Sequence, residues 1–372
     1  MTFSTHVQRR VSLGAILCIS FVTTAGGLRA QLAFDFQYDD SIDSRIVSAF
    51  EMAGRRWSSV LADPVHVSIG IHSGVLDQNV IGSTDSTAAF FSYTDFRRAL
   101  TEDRQSRSDV IATASLQTSE AVSMLINRTS DDPSGSGSDR PYVDSNGGSN
   151  NQTIYMTQAN ARALGLYDAS GGGVDANITF NSLFDFDFDP SNGIDPGAID
   201  IVGIATHEIG HALGFLSGVD TLDTNASVES GGPYPDDVFS FLTPLDLFRY
   251  STESRSEGKG VIDWCADFRL KYFSIDGGDT PLAYFSSGKN YGDGWQASHW
   301  LDDNGDGIMD PTAAPGELLQ LSRNDLLAMD VIGYDVIRQP SAIVPVPEPS
   351  TYACGAMAVL GGAIFMRRRR VG

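Results

Sequence analysis

Thr206-His207-Glu208-Ile209-Gly210-His211-Ala212-Leu213-Gly214-Phe215 is the stretch on which the reading of this chain turns. It contains His-Glu-x-x-His. On an α-helix, residues four apart share a face. His207 and His211 would therefore present two imidazole nitrogens to one Zn²⁺. Glu208 is rotated about 100° from His207 and so stands beside the metal rather than on it. There a carboxylate can take a proton from a metal-bound water and hand it to a leaving amine. The neighbouring residues predict the helix. Ile201, Val202, Ile204, Ala205, Ile209, Ala212 and Leu213 recur at helical spacing. Asp195-Pro196 reads as N-cap and first helical position. Gly214 supplies the left-handed residue that closes a helix.

Both ends of the 372-residue chain read as processing segments. Residues 1–30 carry Arg9 and Arg10, then an apolar run over 11–22, then Leu28-Arg29-Ala30. This is the pattern of a secretory signal, with signal peptidase cutting after Ala30. At the other end, Val346-Pro347-Glu348-Pro349-Ser350 precedes an apolar stretch over 352–366 and then Arg367-Arg368-Arg369-Arg370. A chain break, a marginal membrane segment and a cationic clamp follow one another. The stretch 344–372 resembles the PEP-CTERM sorting signal of Gram-negative bacteria. The resemblance implies transient contact with the inner membrane, removal of the tail by an exosortase, and delivery to the cell surface or beyond. A permanent C-terminal anchor is the alternative reading of the same residues.

The chain carries 25 basic and 47 acidic residues, a net charge of −22. The two end segments hold seven of the arginines and only one acid, Glu348, so their removal leaves the rest more acidic still. Such a surface repels nucleic acid and anionic membrane. Of the cysteines, Cys18 falls in the first segment and Cys354 in the last. Only Cys265 would persist, which excludes an internal disulfide in the processed chain.

Between these ends the patterns alternate between helix and strand. Residues 41–61 return Ile42, Ile46, Val47, Phe50, Trp57 and Val60 at helical steps, and Asp63-Pro64 ends them. Residues 65–71 alternate and are β-branched, which predicts a strand. His66 and His72 would share one face of it and are weaker ligand candidates. A helix is expected over 94–105, while 108–116 and 121–127 carry no clear signal. Pro, Ser, Gly, Asn and Asp crowd 131–151, which predicts a long surface loop open to nicking. A short strand over 153–156, a helix over 158–164 ending at Gly165, and a strand over 176–180 follow. Phe184-Asp185-Phe186-Asp187-Phe188-Asp189 alternates strictly. Asp187 and Asp189, with Asn192 and Asp195 nearby, could hold Ca²⁺ through oxygen ligands, or could simply edge a strand into the turn at Pro190.

A catalytic zinc wants a third protein ligand. Counting on from the helix glycine in the compact His-Glu-x-x-His-x-x-Gly-x-x-His pattern gives Ser217, a poor ligand. Asp220 is one alternative; Glu229, Glu253, Glu257 or Glu317 on a later element is another. The third is His299, in Ala297-Ser298-His299-Trp300, followed by Gly307-Ile308-Met309-Asp310-Pro311. A displaced histidine with a methionine turn soon after it resembles the leishmanolysin-type metzincins, over His207, Glu208, His211, Gly214, His299 and Met309. That resemblance implies that Met309 underlies the metal and that a helix closes the domain within 318–334. It also implies that the 176–180 strand lines a cleft and pairs with an extended peptide. Pro311 departs from the family, many of whose members place a tyrosine there to assist the oxyanion. Asp302, Asn304 and Asp306 with Gly307 copy the first half of a calcium loop, but Ala313 stands where the closing Glu would be.

The expected fold is α+β: a metzincin-like two-lobed protease. A twisted mixed sheet and the zinc helix would form an N-terminal lobe over 31–216. A loop-rich C-terminal lobe over 217–340 would return His299 and the Met-turn. The expected function is a secreted zinc endopeptidase acting on protein or peptide, with Glu208 as general base. The reading from a different class is a non-catalytic surface or matrix protein whose zinc site is structural or degenerate.

Overall fold

The computed structural model describes residues 31–39, 41–168 and 173–337. The expected signal segment and sorting tail lie outside the described residues. In chain order the first half contains β1 (Ala33–Tyr38), α1 (Ser44–Ser58), β2 (His66–Gly74), β3 (Gly82–Ser86), β4 (Ala88–Ser92), α2 (Tyr93–Asp103), α3 (Arg107–Ser115), β5 (Met124–Ile126) and β6 (Tyr142–Asp144). Then come α4 (Ser149–Gln152), β7 (Thr153–Thr157), α5 (Gln158–Ala163), β8 (Ala176–Asn181), β9 (Phe186–Asp187), β10 (Ile199–Asp200) and α6 (Ile201–Leu213). The second half is poorer in regular structure: α7 (Val219–Asn225), β11 (Arg249–Tyr250), α8 (Thr252–Glu257), β12 (Ile262–Asp263), β13 (Lys271–Phe273), β14 (Ala283–Phe285) and α9 (Arg323–Val331). The class is α+β, as the sequence predicts. Among the described residues no helix is long and apolar enough to cross a membrane.

The largest sheet has the order β1-β2-β8-β3. β1, β2 and β8 run parallel, with Phe36 opposite Ile69 and Ile71 opposite Ile178. β3 pairs antiparallel with β8, with Thr84 opposite Ile178. Parallel neighbours need crossover connections, and α1 supplies the first of them. Its apolar residues Ile46, Phe50 and Trp57 are buried in the core. The Trp57 indole N–H donates to the Thr206 carbonyl at 2.9 Å, which ties α1 to the helix of the His-Glu motif.

Three expectations change. The first concerns the start of α6, where Asp200 and not Asp195 is the N-cap, its carboxylate accepting from the Gly203 N–H at 2.8 Å. Ile199 and Asp200 are held extended by pairing with Phe186 and Asp187, so the helix cannot begin earlier. The second is the 176–180 strand. As β8 it lies between β2 and β3, so both its edges are taken and it has no edge left for a peptide. The free edge on that side belongs to β3. The third is the region 131–151, which is not a free loop. β6 and α4 fall within it, and Asp144, Asn150 and Asn151 are buried. The Asn150 amide donates to Asp144 at 2.7 Å, and the Asn151 amide donates to the Val122 carbonyl at 2.9 Å. A polar stretch can be packed inward when its donors and acceptors satisfy one another. The two halves on either side of 216/217 are joined by strand pairing. β12 pairs with β5, and Val336 bridges to Leu61 across that division.

Candidate metal centre

α6 is apolar nearly all round, and twelve of its thirteen residues are buried; His207 is the partly exposed one. It ends at Gly214, whose φ of 117° is a left-handed conformation that a side chain would resist. That turn brings the Phe215 carbonyl to 2.8 Å from His211 Nδ1. The Ile308 carbonyl lies 2.8 Å from His207 Nδ1, and the Gln296 carbonyl 3.2 Å from His299 Nδ1. A ring nitrogen facing a carbonyl carries the proton, and in the neutral ring that leaves Nε2 with its lone pair.

Those three Nε2 atoms converge. His211 Nε2 stands 3.1 Å from His207 Nε2 and 3.3 Å from His299 Nε2, and the three ligand atoms lie within 4.8 Å of one another. Three nitrogens each about 2.0–2.1 Å from one tetrahedral ion would stand about 3.3–3.4 Å apart. Lone pairs that face one another at such distances repel unless a cation lies among them, so the donor set suits Zn²⁺. Burial, reinforced by the neighbouring His207, pushes the His211 imidazole down to about 3. Burial and the other two rings hold His299 well below its ordinary value. Both effects favour the neutral, metal-binding form of the ring.

His299 arrives on the segment that follows β14. The His299 carbonyl accepts from the Ser286 N–H at 3.1 Å, and Phe285 bridges to Trp300. The Trp300 N–H donates to the Met309 carbonyl at 2.9 Å. Asp325, fully buried in the first turn of α9, gathers the Trp300 indole N–H at 2.8 Å and the Ile308 N–H at 2.8 Å. Met309 is wholly buried beneath α6. A Cβ built on Gly210 would sit 2.6 Å from its sulfur, so the glycine inside the His-Glu motif is what lets the methionine close in. α9 falls inside the expected closing stretch 318–334.

Glu208 turns toward β3 and is 5% exposed. The Thr84 hydroxyl on β3 donates to Glu208 Oε2 at 2.6 Å and lies 3.0 Å from the Glu208 carbonyl. Gly82 lies so close that any side chain there would overlap the carboxylate. Burial raises the Glu208 pKa, against the opposing pull of His207 and the Thr84 hydrogen bond. Thr84 and Gly82 carry no signal in the sequence. The segment Gly-Ser-Thr-Asp-Ser has no apolar side chain and few strand-favouring residues, so it does not read as a strand.

The other candidates fall elsewhere. Among the described residues, His207, His211 and His299 form the single group of three or more His, Cys, Asp or Glu side chains close enough to share an ion. Asp220 is not a ligand; both of its oxygens accept from Ala297 and Ser298. The Ser217 hydroxyl donates to Asp246 at 2.6 Å. His72 is paired with Asp39 and Asn177, and His66 is exposed. The carboxylates singled out for calcium take part in hydrogen bonds within and around their own turns. Asp187 accepts from the N–H groups of Asp189 and Asp195, and Asp189 from that of Ser191. Asp306 accepts from the Tyr284 N–H and the Asn304 amide, and Asp302 from the Thr312 hydroxyl. These carboxylates close turns. Cys265 is a free, buried thiol whose pKa burial raises.

Residues 345–370 match the PEP-CTERM protein-sorting motif. The motif marks the chain for extracytoplasmic sorting by an exosortase-type enzyme. No curated protein and no solved structure matches the chain.

Proposed function

We propose that this chain is an exported zinc-dependent endopeptidase of the metzincin kind, with His207, His211 and His299 as ligands and Glu208 as general base. The observation that carries the reading is the convergence of three Nε2 atoms next to a buried carboxylate. When bound there, Zn²⁺ would polarise a carbonyl and acidify water. Glu208 would take a proton at its carboxylate and return it to the amine of the cleaved peptide. Burial raises its pKa, which favours taking up a proton. Thr84 orients the carboxylate. The free edge of β3 runs beside α6, with the Ser86 hydroxyl 3.5 Å from the His211 carbonyl. An extended peptide pairing there would pass Glu208, and edge pairing makes little demand on sequence. Pro311 leaves the oxyanion without a tyrosine from the Met-turn, so the ion itself would stabilise that charge. The tail would carry the enzyme through the inner membrane of a Gram-negative bacterium to the surface or beyond.

The runner-up, a matrix or surface protein with a structural zinc site, is favoured by the close cover that Gly82 and Thr84 place over Glu208. One experiment separates the two. Metal analysis of the purified chain should find about one Zn²⁺ per molecule. Casein hydrolysis should stop with a chelator and return with added Zn²⁺, and His299→Ala should lose metal and activity together. Bound Zn²⁺ without any hydrolysis would favour the structural reading. Hydrolysis that persists in chelator would sink the proposed one.

A further inference from the structure

We infer that Asp220 is a positioning residue for His299: its carboxylate, opposed across the peptide backbone by Arg249, sets the third imidazole in place before any ion binds. This rests on the zinc reading and adds to it the device that makes a displaced ligand workable.

α7 begins five residues after the C-cap of α6, so Asp220 is held close to His211 by short, rigid chain. Asp220 Oδ1 accepts from the Ala297 N–H at 2.6 Å, and Oδ2 accepts from the Ser298 N–H at 3.1 Å and from the Ser298 hydroxyl. The same hydroxyl accepts from the Ser217 N–H at 2.9 Å. Three residues further along α7, Asp223 accepts from the Asn290 N–H at 2.8 Å and the Tyr291 N–H at 2.9 Å. α7 thus grips the returning segment at two places, and the grip of Asp220 ends at the residue before His299.

The carbonyl side of that segment is held by Arg249, which is 1% exposed. Its Nη2 donates to the Ser286 carbonyl at 2.7 Å and its Nη1 to the Ala297 carbonyl at 3.4 Å. The Ser286 N–H in turn donates to the His299 carbonyl. Ala297 therefore has a carboxylate on its N–H and a guanidinium on its C=O. Charge-assisted hydrogen bonds are about twice as strong as neutral ones. His299 lies 88 residues from His211 in the chain. Ordering that segment at the moment of binding would weaken the metal affinity, and ordering it beforehand removes the cost.

The test is a chelator-competition titration of Zn²⁺ into metal-free wild type, Asp220→Ala, Asp220→Asn, Ser298→Ala and His299→Ala. Each is also followed by apo-state melting and by visible absorption of the Co²⁺ form. Asp220→Ala should bind Zn²⁺ about 10–100-fold more weakly, the range seen when a residue supporting a ligand is removed. Its Co²⁺ spectrum should shift toward that of His299→Ala. Asp220→Asn keeps one accepting oxygen and should fall between, and Ser298→Ala should show a smaller loss in the same direction. Wild-type affinity and spectrum in Asp220→Ala, whether or not its melting temperature falls, would overturn the inference while leaving the zinc reading intact. If Asp220→Ala does not fold, Asp220→Asn and Ser298→Ala decide in its place, and wild-type affinity and spectrum in both would overturn the inference. If His299→Ala binds Zn²⁺ as wild type does, the zinc reading fails first, and this inference with it.

Discussion

His207 and His211 sit one turn apart on a helix that would hold them in register almost anywhere. His299 arrives on residues 297–299, which belong to no helix or strand. In α6 the spacing of the two histidines is set by backbone hydrogen bonds between residues four apart, and each bond is local. On the returning segment the placement is set by side chains from far away: Asp220, Arg249, Asp325 and the Ile308 turn. Local geometry tolerates substitution of its neighbours, because the helix persists. A placement built from buried charge-assisted hydrogen bonds does not, because each lost partner leaves a donor stranded in the interior.

That contrast can be broken or sharpened by experiment. Glu208→Gln should have the largest effect, a loss of about 10²–10⁴ in kcat with Zn²⁺ still bound, since a positioned general base is worth that much. Peptide hydrolysis at the wild-type rate by a metal-loaded Glu208→Gln protein would end the assignment of its role. The next largest effect should come from Asp325→Ala. The change strands the Trp300 indole, the Ile308 N–H and the Ser322 N–H, which Asp325 accepts at 2.8, 2.8 and 2.7 Å. A loss of about 3 kcal/mol is expected in urea unfolding. A loss well under 1 kcal/mol would mean that the returning segment is held by something else.

Gly210→Ala probes the place where the two regions meet. The added methyl gains about 1 kcal/mol of helix propensity. It also drives into Met309, and overpacking of this kind costs about 1–3 kcal/mol. The net should be destabilising by about 1 kcal/mol, and Met309→Ala in the same chain should relieve the clash. Additive effects in the double variant would show that the two residues do not compete for the space.

The smallest effect lies outside both regions. Burial, with the nearby Asp335 carboxylate adding to it, pushes Asp63 up to about 7. A folded-state pKa above the unfolded value means that the folded chain binds more protons between about pH 4 and 7. Its stability therefore falls as pH rises through that window. Asp63→Asn keeps an acceptor for the Asp335 N–H and removes the charge. It should stabilise the chain by about 1 kcal/mol at pH 8 and by nothing at pH 4. Equal melting temperatures of the two proteins at pH 8 would show that Asp63 is not held at a penalty.

Much of the sheet and the motif helix is legible in the sequence because they follow periodic rules. The strand over 176–180 and the residues of α6 bury the apolar faces that their spacing predicts, and the helix expected over 41–61, observed as α1 over 44–58, buries Ile46, Phe50 and Trp57 of its predicted face. The edge strand β3 is not legible, since Gly82-Ser83-Thr84-Asp85-Ser86 holds no apolar residue to mark its inner face. Nor is the role of Asp220, which spacing offers as a metal ligand. A carboxylate three residues beyond Ser217 has the same composition whether it binds an ion or two peptide N–H groups. The cluster at Asp302, Asn304 and Asp306 is ambiguous in the same way, because turn closure and calcium binding use the same oxygens.

The amino-acid sequence alone determined that two imidazoles and one carboxylate share a helix end, because 3.6 residues per turn leaves no other outcome. It also determined the sorting tail, whose order of parts is linear by nature. Only the tertiary structure decided which distant side chain completes the imidazole set, and which neighbours hold it there. The reason is physical: across 88 residues the chain's own stiffness transmits nothing, so position is set by packing and by buried hydrogen bonds that no local pattern encodes.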